Sequence, residues 1–257
     1  MKEDDYVLVL RNCRTDMTSR EGFKYPRRGW VETKDWKPTY KCGNGLHGLL
    51  WGCGTTLYLY PEPAKWLVIK VKMQDCLFGK GDLDDKCKFK GGYIVYCGDR
   101  GGAIQYLDEH GAEDKPVIYA NRVAGDYGTA TAGNYGTATA GDFGKATTGY
   151  EGTATAGDFG KATAENCSTA TAGCFGRATA GDFGTATAGD FGTATTGYKG
   201  KATAGCKGRI VIEYWDAEAE RYRLAVGYIG ENGLKPNVKY RLDEKHEFIE
   251  AGESKDD

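Results

Sequence analysis

From Gly125 to Ala204 the chain reads GDYGTATA GNYGTATA GDFGKATT GYEGTATA GDFGKATA ENCSTATA GCFGRATA GDFGTATA GDFGTATT GYKGKATA, ten octapeptides without an insertion or deletion. A flexible Gly-rich linker is biased in composition but not phased, so this register predicts an ordered repeat structure. Within each octad Thr-Ala-Thr-Ala is a β-prone run of alternating residues. Gly-Asp-Phe-Gly is a turn, in which glycine is expected to supply the positive φ and aspartate to bond its own backbone. Position 5 accepts Lys145, Lys161, Arg177 and Lys201, so it faces water. The two-residue period of a strand then turns the position-7 threonine outward and the alanines of positions 6 and 8 inward.

Position 3 decides whether one coil uses eight residues or sixteen. In the odd octads it is Tyr127, Phe143, Phe159, Phe175 and Phe191, uniformly aromatic; in the even octads it is Tyr135, Glu151, Cys167, Phe183 and Lys199. The true repeat is therefore sixteen residues. The fold expected is mainly β, a β-solenoid of five 16-residue coils, each with two short strands on opposite faces, stacked at about 4.8 Å. An alanine-lined interior buries little apolar area, so parallel hydrogen-bond ladders and the aromatic column must carry much of the stability. Parity does not fix whether that column points into the corner or outward as an edge, because turns break the alternation.

Open solenoid ends would expose unpaired strand edges, and the flanks are expected to cap them. Residues 1–116 read as an N-terminal α+β domain, with strands at Tyr6–Arg11, Trp66–Lys72 and Tyr93–Cys97 and a short helix within Gly102–His110. The solenoid is assigned to 117–208, with Val117–Ala124 already in octad register as a lead-in strand. Residues 209–257 alternate as strands at Arg209–Trp215, Arg221–Tyr228 and Lys239–Leu242, a C-terminal antiparallel β cap ending in the charged tail Glu253–Asp257.

Composition removes several function classes. The 34 Lys+Arg against 36 Asp+Glu give a net charge of −2, and the repeat itself holds five basic and seven acidic residues, so neither a nucleic acid nor an anionic membrane is an expected partner. No apolar run approaches the roughly 20 residues that span a bilayer, and Met1-Lys-Glu-Asp-Asp does not open a secretory signal, so a cytoplasmic location is expected. Nine cysteines contain no C-x-x-C, and His47 between Cys42 and Cys53 matches no ligand spacing, so neither a metal nor a cofactor is expected.

The two strand faces differ. The even octads show Thr137/Thr139, Thr153/Thr155, Thr169/Thr171 and Thr185/Thr187, a threonine grid with hydroxyls about 7 Å apart along a strand and about 4.8 Å apart between coils. The odd face carries a basic column, Lys145, Lys161 and Arg177, expected to neutralise Asp142 and Asp158 three residues before the lysines. The unit Ala-Gly-Asp-Phe-Gly-Thr-Ala-Thr at Ala180–Thr187 resembles the sixteen-residue repeat of bacterial ice nucleation proteins, over 80 of the 257 residues. That resemblance implies a Thr-x-Thr array that orders water, and an aromatic ladder, here Tyr127, Phe143, Phe159, Phe175 and Phe191, that pairs solenoids side by side. High β-propensity is the plainer reason for threonine on a wet strand face.

The N-terminal stretch Lys41–Gly54, KCGNGLHGLLWGCG, with YCGDRGGA at Tyr96–Ala103, resembles an uncharacterised domain found ahead of such repeats in bacterial and phage proteins. Gly43, Gly45, Leu46 and His47 are also similar to the turn that opens a strand beside the nicotinamide pocket in the ADP-ribosyltransferase fold. His47 is the one candidate for a general base, since imidazole titrates near neutrality, but no Ser/His/Asp or Cys/His arrangement can be assembled around it. Three functional readings follow. The first is a non-enzymatic scaffold for protein–protein interaction that self-associates through the aromatic ladder. The second is an ice-binding protein using the threonine face, and the third is a nucleotide-dependent enzyme in the N-terminal domain.

Overall fold

A computed structural model describes residues 5–252, so the tail Glu253–Asp257 lies outside the described residues. The chain divides into two units between Ile118 and Tyr119. The first contains strands β1 (Tyr6–Cys13), β2 (Gly29–Glu32), β3 (Leu46–Leu50), β4 (Lys65–Lys72), β5 (Cys76–Phe78), β6 (Cys87–Phe89) and β7 (Gly91–Gly98), then helix α1 (Arg100–Leu107). They form one antiparallel sheet in the order β2-β7-β4-β1-β3-β6-β5. The three expected strands are present and lengthened, while β2, β3, β5 and β6 are additions to the sequence reading.

Strands β1 and β4 are central, and both of their faces are buried. One parity, Val7, Val9, Leu67, Ile69 and Val71, joins Tyr25, Val31, Phe89 and Ile94 in a core cluster. The other parity, including Leu8, Leu10 and Val68, is buried on the opposite face of the sheet, and α1 packs on β4 and β7. The helix starts two residues earlier than expected because the Asp99 side chain accepts from the Gly102 N–H as an N-cap. It ends at Leu107, ahead of Gly111 at φ 99°.

The second unit is the solenoid. Strands β8 (Asn121–Ala124), β10 (Thr137–Ala140), β12 (Thr153–Ala156), β14 (Thr169–Ala172), β16 (Thr185–Ala188) and β18 (Lys201–Ala204) pair in parallel on one face. Strands β9 (Thr129–Thr131), β11 (Lys145–Thr148), β13 (Lys161–Ala164), β15 (Arg177–Ala180), β17 (Thr193–Thr196) and β19 (Arg209–Asp216) pair in parallel on the other. Every pairing joins residues sixteen apart, such as Thr153 with Thr169, which establishes the sixteen-residue coil. Each face has six rungs where ten octads alone give five, because the flanking octads Val117–Ala124 and Gly205–Ile212 hold the same register. Only the second half of Val117–Ala124 is strand; its first half carries the corner residue Tyr119 at φ 58°.

The C-terminal strands close the last coil on both faces. Strand β20 (Arg221–Tyr228) pairs antiparallel with β19, while β21 (Tyr240–Leu242) pairs antiparallel with β18 and then with β22 (Phe248–Glu250). The antiparallel cap read from the sequence is present, and its first strand also supplies the sixth rung.

The corners correct the expected turn chemistry. The N–H of position 4 bonds the carbonyl of position 1, as in Gly128 to Gly125 at 3.0 Å, so positions 2 and 3 are the central residues of a β-turn. Positive φ falls on position 3, at 51–59° from Tyr119 to Lys207, and no repeat glycine takes it. The turn thus has the positive φ at its second central residue, the type II signature, borne by side chains that ordinarily avoid it.

The glycines are there for space. A Cβ on Gly157 would lie 2.2 Å from Asp142 Oδ1 and 2.8 Å from the Asp142 nitrogen in the previous coil. That carboxylate is occupied: Asp142 Oδ1 accepts the backbone N–H of Asp158 at 2.8 Å, sixteen residues on, where a bond to its own turn was expected. The same staple runs from Asp126 to Asp142, Asp158 to Cys174 and Asp190 to Cys206 along one corner, and from Asn134 to Tyr150, Asn166 to Asp182 and Asp182 to Tyr198 along the other.

Inward alanines are confirmed at position 6 throughout and at position 8 in most coils. Thr148 and Thr196 occupy position 8 instead, with Oγ1 atoms buried and without a hydrogen-bond partner among the described residues. A buried hydroxyl left unpaired costs about 1–3 kcal/mol, more than its extra methyl returns. Thr148→Ala and Thr196→Ala are therefore each expected to stabilise the solenoid by about 1 kcal/mol, read from the urea midpoint at unchanged slope.

Candidate functional site

The outer surface of the repeat follows from its parity. In β10, β12 and β14 position 5 is exposed and position 7 half-buried between buried alanines. Strand β16 repeats the pattern with position 5 half-buried. The hydrogen-bonded register sets Thr137, Thr153, Thr169 and Thr185 in one row, and Thr139, Thr155, Thr171 and Thr187 in a second. The grid is thus a set of parallel rungs without a bulge, bounded by Asn121 and Val123 at one end and by Lys201 at the other. It offers alternating methyl and hydroxyl groups and no charge.

On the opposite face Lys145, Lys161 and Arg177 are adjacent in register, three like charges in a column. The expected neutralisation by Asp142 and Asp158 is not found, since no ion pair among the described residues joins them. Those carboxylates instead face the next coil as acceptors of backbone N–H groups. The basic column is solvated, and the position-7 threonines beside it do not form an uncharged face.

The odd aromatic column points outward, which settles the orientation that the sequence left open. Tyr127, Phe143, Phe159, Phe175 and Phe191 are 49–76% exposed, so inward packing at the corner is excluded. Their rings stack with centroids 4.8–5.0 Å apart and planes within 4° of parallel. The spacing is that of the coils, so each ring sits over its equivalent in the neighbouring coil. At the end of the column Lys207 Nζ lies 5.6 Å from the Phe191 centroid. The even corner is broken by Glu151, Cys167 and Lys199 and has no such continuous stack.

In the N-terminal unit His47 sits in β3 opposite Lys88 of β6. Burial first, then the charges of Arg11, Lys86 and Lys88, push its imidazole down to about 4, so it is neutral at neutral pH. Gly43 takes φ 84°, and a Cβ on Gly45 would lie 2.8 Å from Lys88 Cγ, so both glycines answer to local geometry. The Lys41 and Gly43 carbonyls accept from Lys88 Nζ at 2.8 and 3.3 Å, which means that this loop holds a cation with its oxygens. Sequence reasoning missed Lys88 because a wholly buried lysine reads as an outward one. All nine cysteines are free, and no three metal-ligating side chains cluster among the described residues. No helix among them is long and apolar enough to cross a membrane.

Residues 7–105 match the family described as Domain of unknown function (DUF7666). The chain is 38% identical over 109 residues to an ice nucleation protein of Pseudomonas fluorescens, covering 42% of this chain and 9% of that protein. It is 36% identical over 115 residues to ice nucleation protein InaU of Pantoea ananas, covering 44% of this chain and 11% of that protein. An ice nucleation protein of Xanthomonas campestris pv. translucens is 34% identical over 102 residues, 39% of this chain and 6% of that protein. The chain thus spans about a tenth of the length of these relatives. No solved structure matches it. The resemblance of the repeat to ice nucleation proteins stands, on a β-solenoid with sixteen-residue coils.

Proposed function

We propose that the solenoid is a rigid, non-enzymatic scaffold that acts through its surfaces, and that its threonine face binds ice or ice-like ordered water. The observation that carries this reading is the uncharged double row on β10, β12, β14 and β16, held in register by parallel ladders. A surface that engages an ordered lattice must itself be regular and rigid before contact, because ordering loose side chains costs free energy on binding. Backbone hydrogen bonds fix the rungs, and the stiff χ1 of β-branched threonine limits the side chains. The similarity to proteins named for ice nucleation supports ice as the ligand. Four threonine rungs make a small patch, so the reading is of binding and shaping ice crystals.

The test is ice-crystal shaping by the full chain and by Thr153→Lys/Thr169→Lys. Lysine already occupies the equivalent exposed position in β11 and β13, so the double variant is expected to fold. Faceted crystals with the native chain, and round ones with the double variant at unchanged circular dichroism, are the expected result. Unfaceted growth with the native chain, or faceting that survives both lysines, would reject the ice reading.

The second surface reading is lateral self-association through the odd aromatic ladder, favoured by the exposure and parallel stacking of its five rings. Contiguous exposed apolar strips on a soluble fold mark interaction sites. A column of aromatic rings repeated once per coil can also meet its own copy across a two-fold axis, as an isologous dimer requires.

A further inference from the structure

The N-terminal unit contains a cavity of about 500 Å³ whose walls include Arg11, Arg20, His47, Tyr60 and Lys86. Its size lies in the ordinary range for small-molecule sites. Three side-chain atoms of this unit are buried without a hydrogen-bond partner among the described residues, Arg11 Nε, His47 Nε2 and Tyr60 Oη, and all three belong to residues lining this one cavity. Unpaired buried polar atoms are costly, so three of them on one cavity need a reason. They are closed to solvent in this conformation, so a ligand engages them only where these side chains turn toward the cavity.

We propose that this cavity binds the phosphate group of a small molecule. Arg11, Arg20 and Lys86 face it against two carboxylates, Glu21 and Asp35. Asp35 is already engaged by the Thr33 hydroxyl and, at 3.4 Å, by Asn44 Nδ2. Arg11 is anchored through Nη1 on the His47 carbonyl and lies over the Tyr25 ring, which leaves its Nε–H free to donate to an oxyanion. His47 decides which oxyanion. Its Nε2 is buried without a hydrogen-bond partner among the described residues, so on the neutral ring with the proton on Nδ1 it is a bare acceptor. A ligand that satisfies the site must therefore accept from the guanidinium and also donate to the imidazole. A protonated phosphate oxygen can do so and sulfate cannot.

The experiment is calorimetric titration of the full chain at neutral pH with inorganic phosphate and with sulfate. Phosphate is expected to bind at least about tenfold more tightly than sulfate, the ratio that one hydrogen bond to a charged site provides. Lys86→Met is expected to weaken phosphate binding by about tenfold or more, and Arg20→Gln, an exposed position that leaves the fold undisturbed, by a smaller factor of the same sign. His47→Phe is expected to abolish the preference for phosphate over sulfate. Native chain that binds no phosphate, binds both anions equally, or binds phosphate equally well in Lys86→Met and Arg20→Gln would overturn the proposal.

Discussion

Gly157→Ala is expected to destabilise the solenoid by about 2 kcal/mol, although it adds one methyl group at a solvent-facing corner. The added Cβ would fall 2.2 Å from Asp142 Oδ1 and 2.8 Å from the Asp142 nitrogen, so either the coil spacing opens or the carboxylate leaves. Opening the spacing strains the ladders of both faces, an overpacking cost of about 1–3 kcal/mol. Displacing the carboxylate gives up a hydrogen bond between an ionised oxygen and the Asp158 N–H, about 1.5–3 kcal/mol. Urea denaturation of the full chain followed by circular dichroism measures the loss; a change below about 0.5 kcal/mol would show that the corner yields without cost.

The chain contains its own control for this argument. Among the ten octads from Gly125 to Ala204 only ENCSTATA places a side chain at position 1, Glu165, and the residue that would send an oxygen toward it from the previous coil is Tyr150, which has none there. The same octad replaces the second corner glycine by Ser168, whose Oγ accepts from the Gly152 N–H and has the Gly149 and Asn166 carbonyls, each at 3.0 Å, as acceptors for its own proton. Tyr150→Asp is accordingly expected to destabilise while Glu165 remains. With Glu165→Gly it is expected to add the missing staple to the Asn166 N–H. The coupling between the two sites should approach about 3 kcal/mol, the upper range for residues in direct contact. The ring contact of Tyr150 with Tyr135, 5.9 Å between centroids, is lost in both arms and cancels.

These corners also show what could be read from the sequence and what could not. Strand positions, inward alanines and the sixteen-residue coil all follow from alternation and period, and all are present. The staple was hidden by its geometry, because the partners are sixteen residues apart and a turn rich in Gly and Asp is explained equally well by local chemistry. The one signal for it was the joint departure of Tyr150 and Glu165 from the consensus. In the N-terminal unit β5 and β6 are three residues each, too short to show a period, and Lys88 in β6 is buried where alternation would put a polar residue outside. The cavity beside His47 is lined by residues from many separated segments, so no sequence window contains it.

Under the proposed pairing of ladders, Phe159→Asp is expected to lower the mass of the full chain from dimer to monomer in sedimentation or light scattering while costing the fold only about 1–2 kcal/mol. Phe159 stacks on Phe143 and Phe175 at 4.9 and 5.0 Å, and two such contacts contribute about 0.5–1.5 kcal/mol each. Part of that loss returns because Phe159 sits at φ 55°, a left-handed conformation that aspartate adopts more readily than phenylalanine. Across a two-fold interface the same charge would be buried against its own symmetry mate or a phenyl ring, and an unpaired buried charge costs several kcal/mol, enough to separate the pair. Phe183→Asp gives the comparison. Phe183 is equally exposed on the opposite corner at φ 57°, but its column neighbours are Cys167 and Lys199, so the substitution has a similar backbone effect and no ladder to interrupt. A mass lowered by Phe159→Asp and not by Phe183→Asp assigns assembly to the odd edge. A native chain that is already monomeric, or equal masses for both variants, leaves the stacked rings with a structural role alone: in place of a larger core, they hold consecutive alanine-lined coils in register.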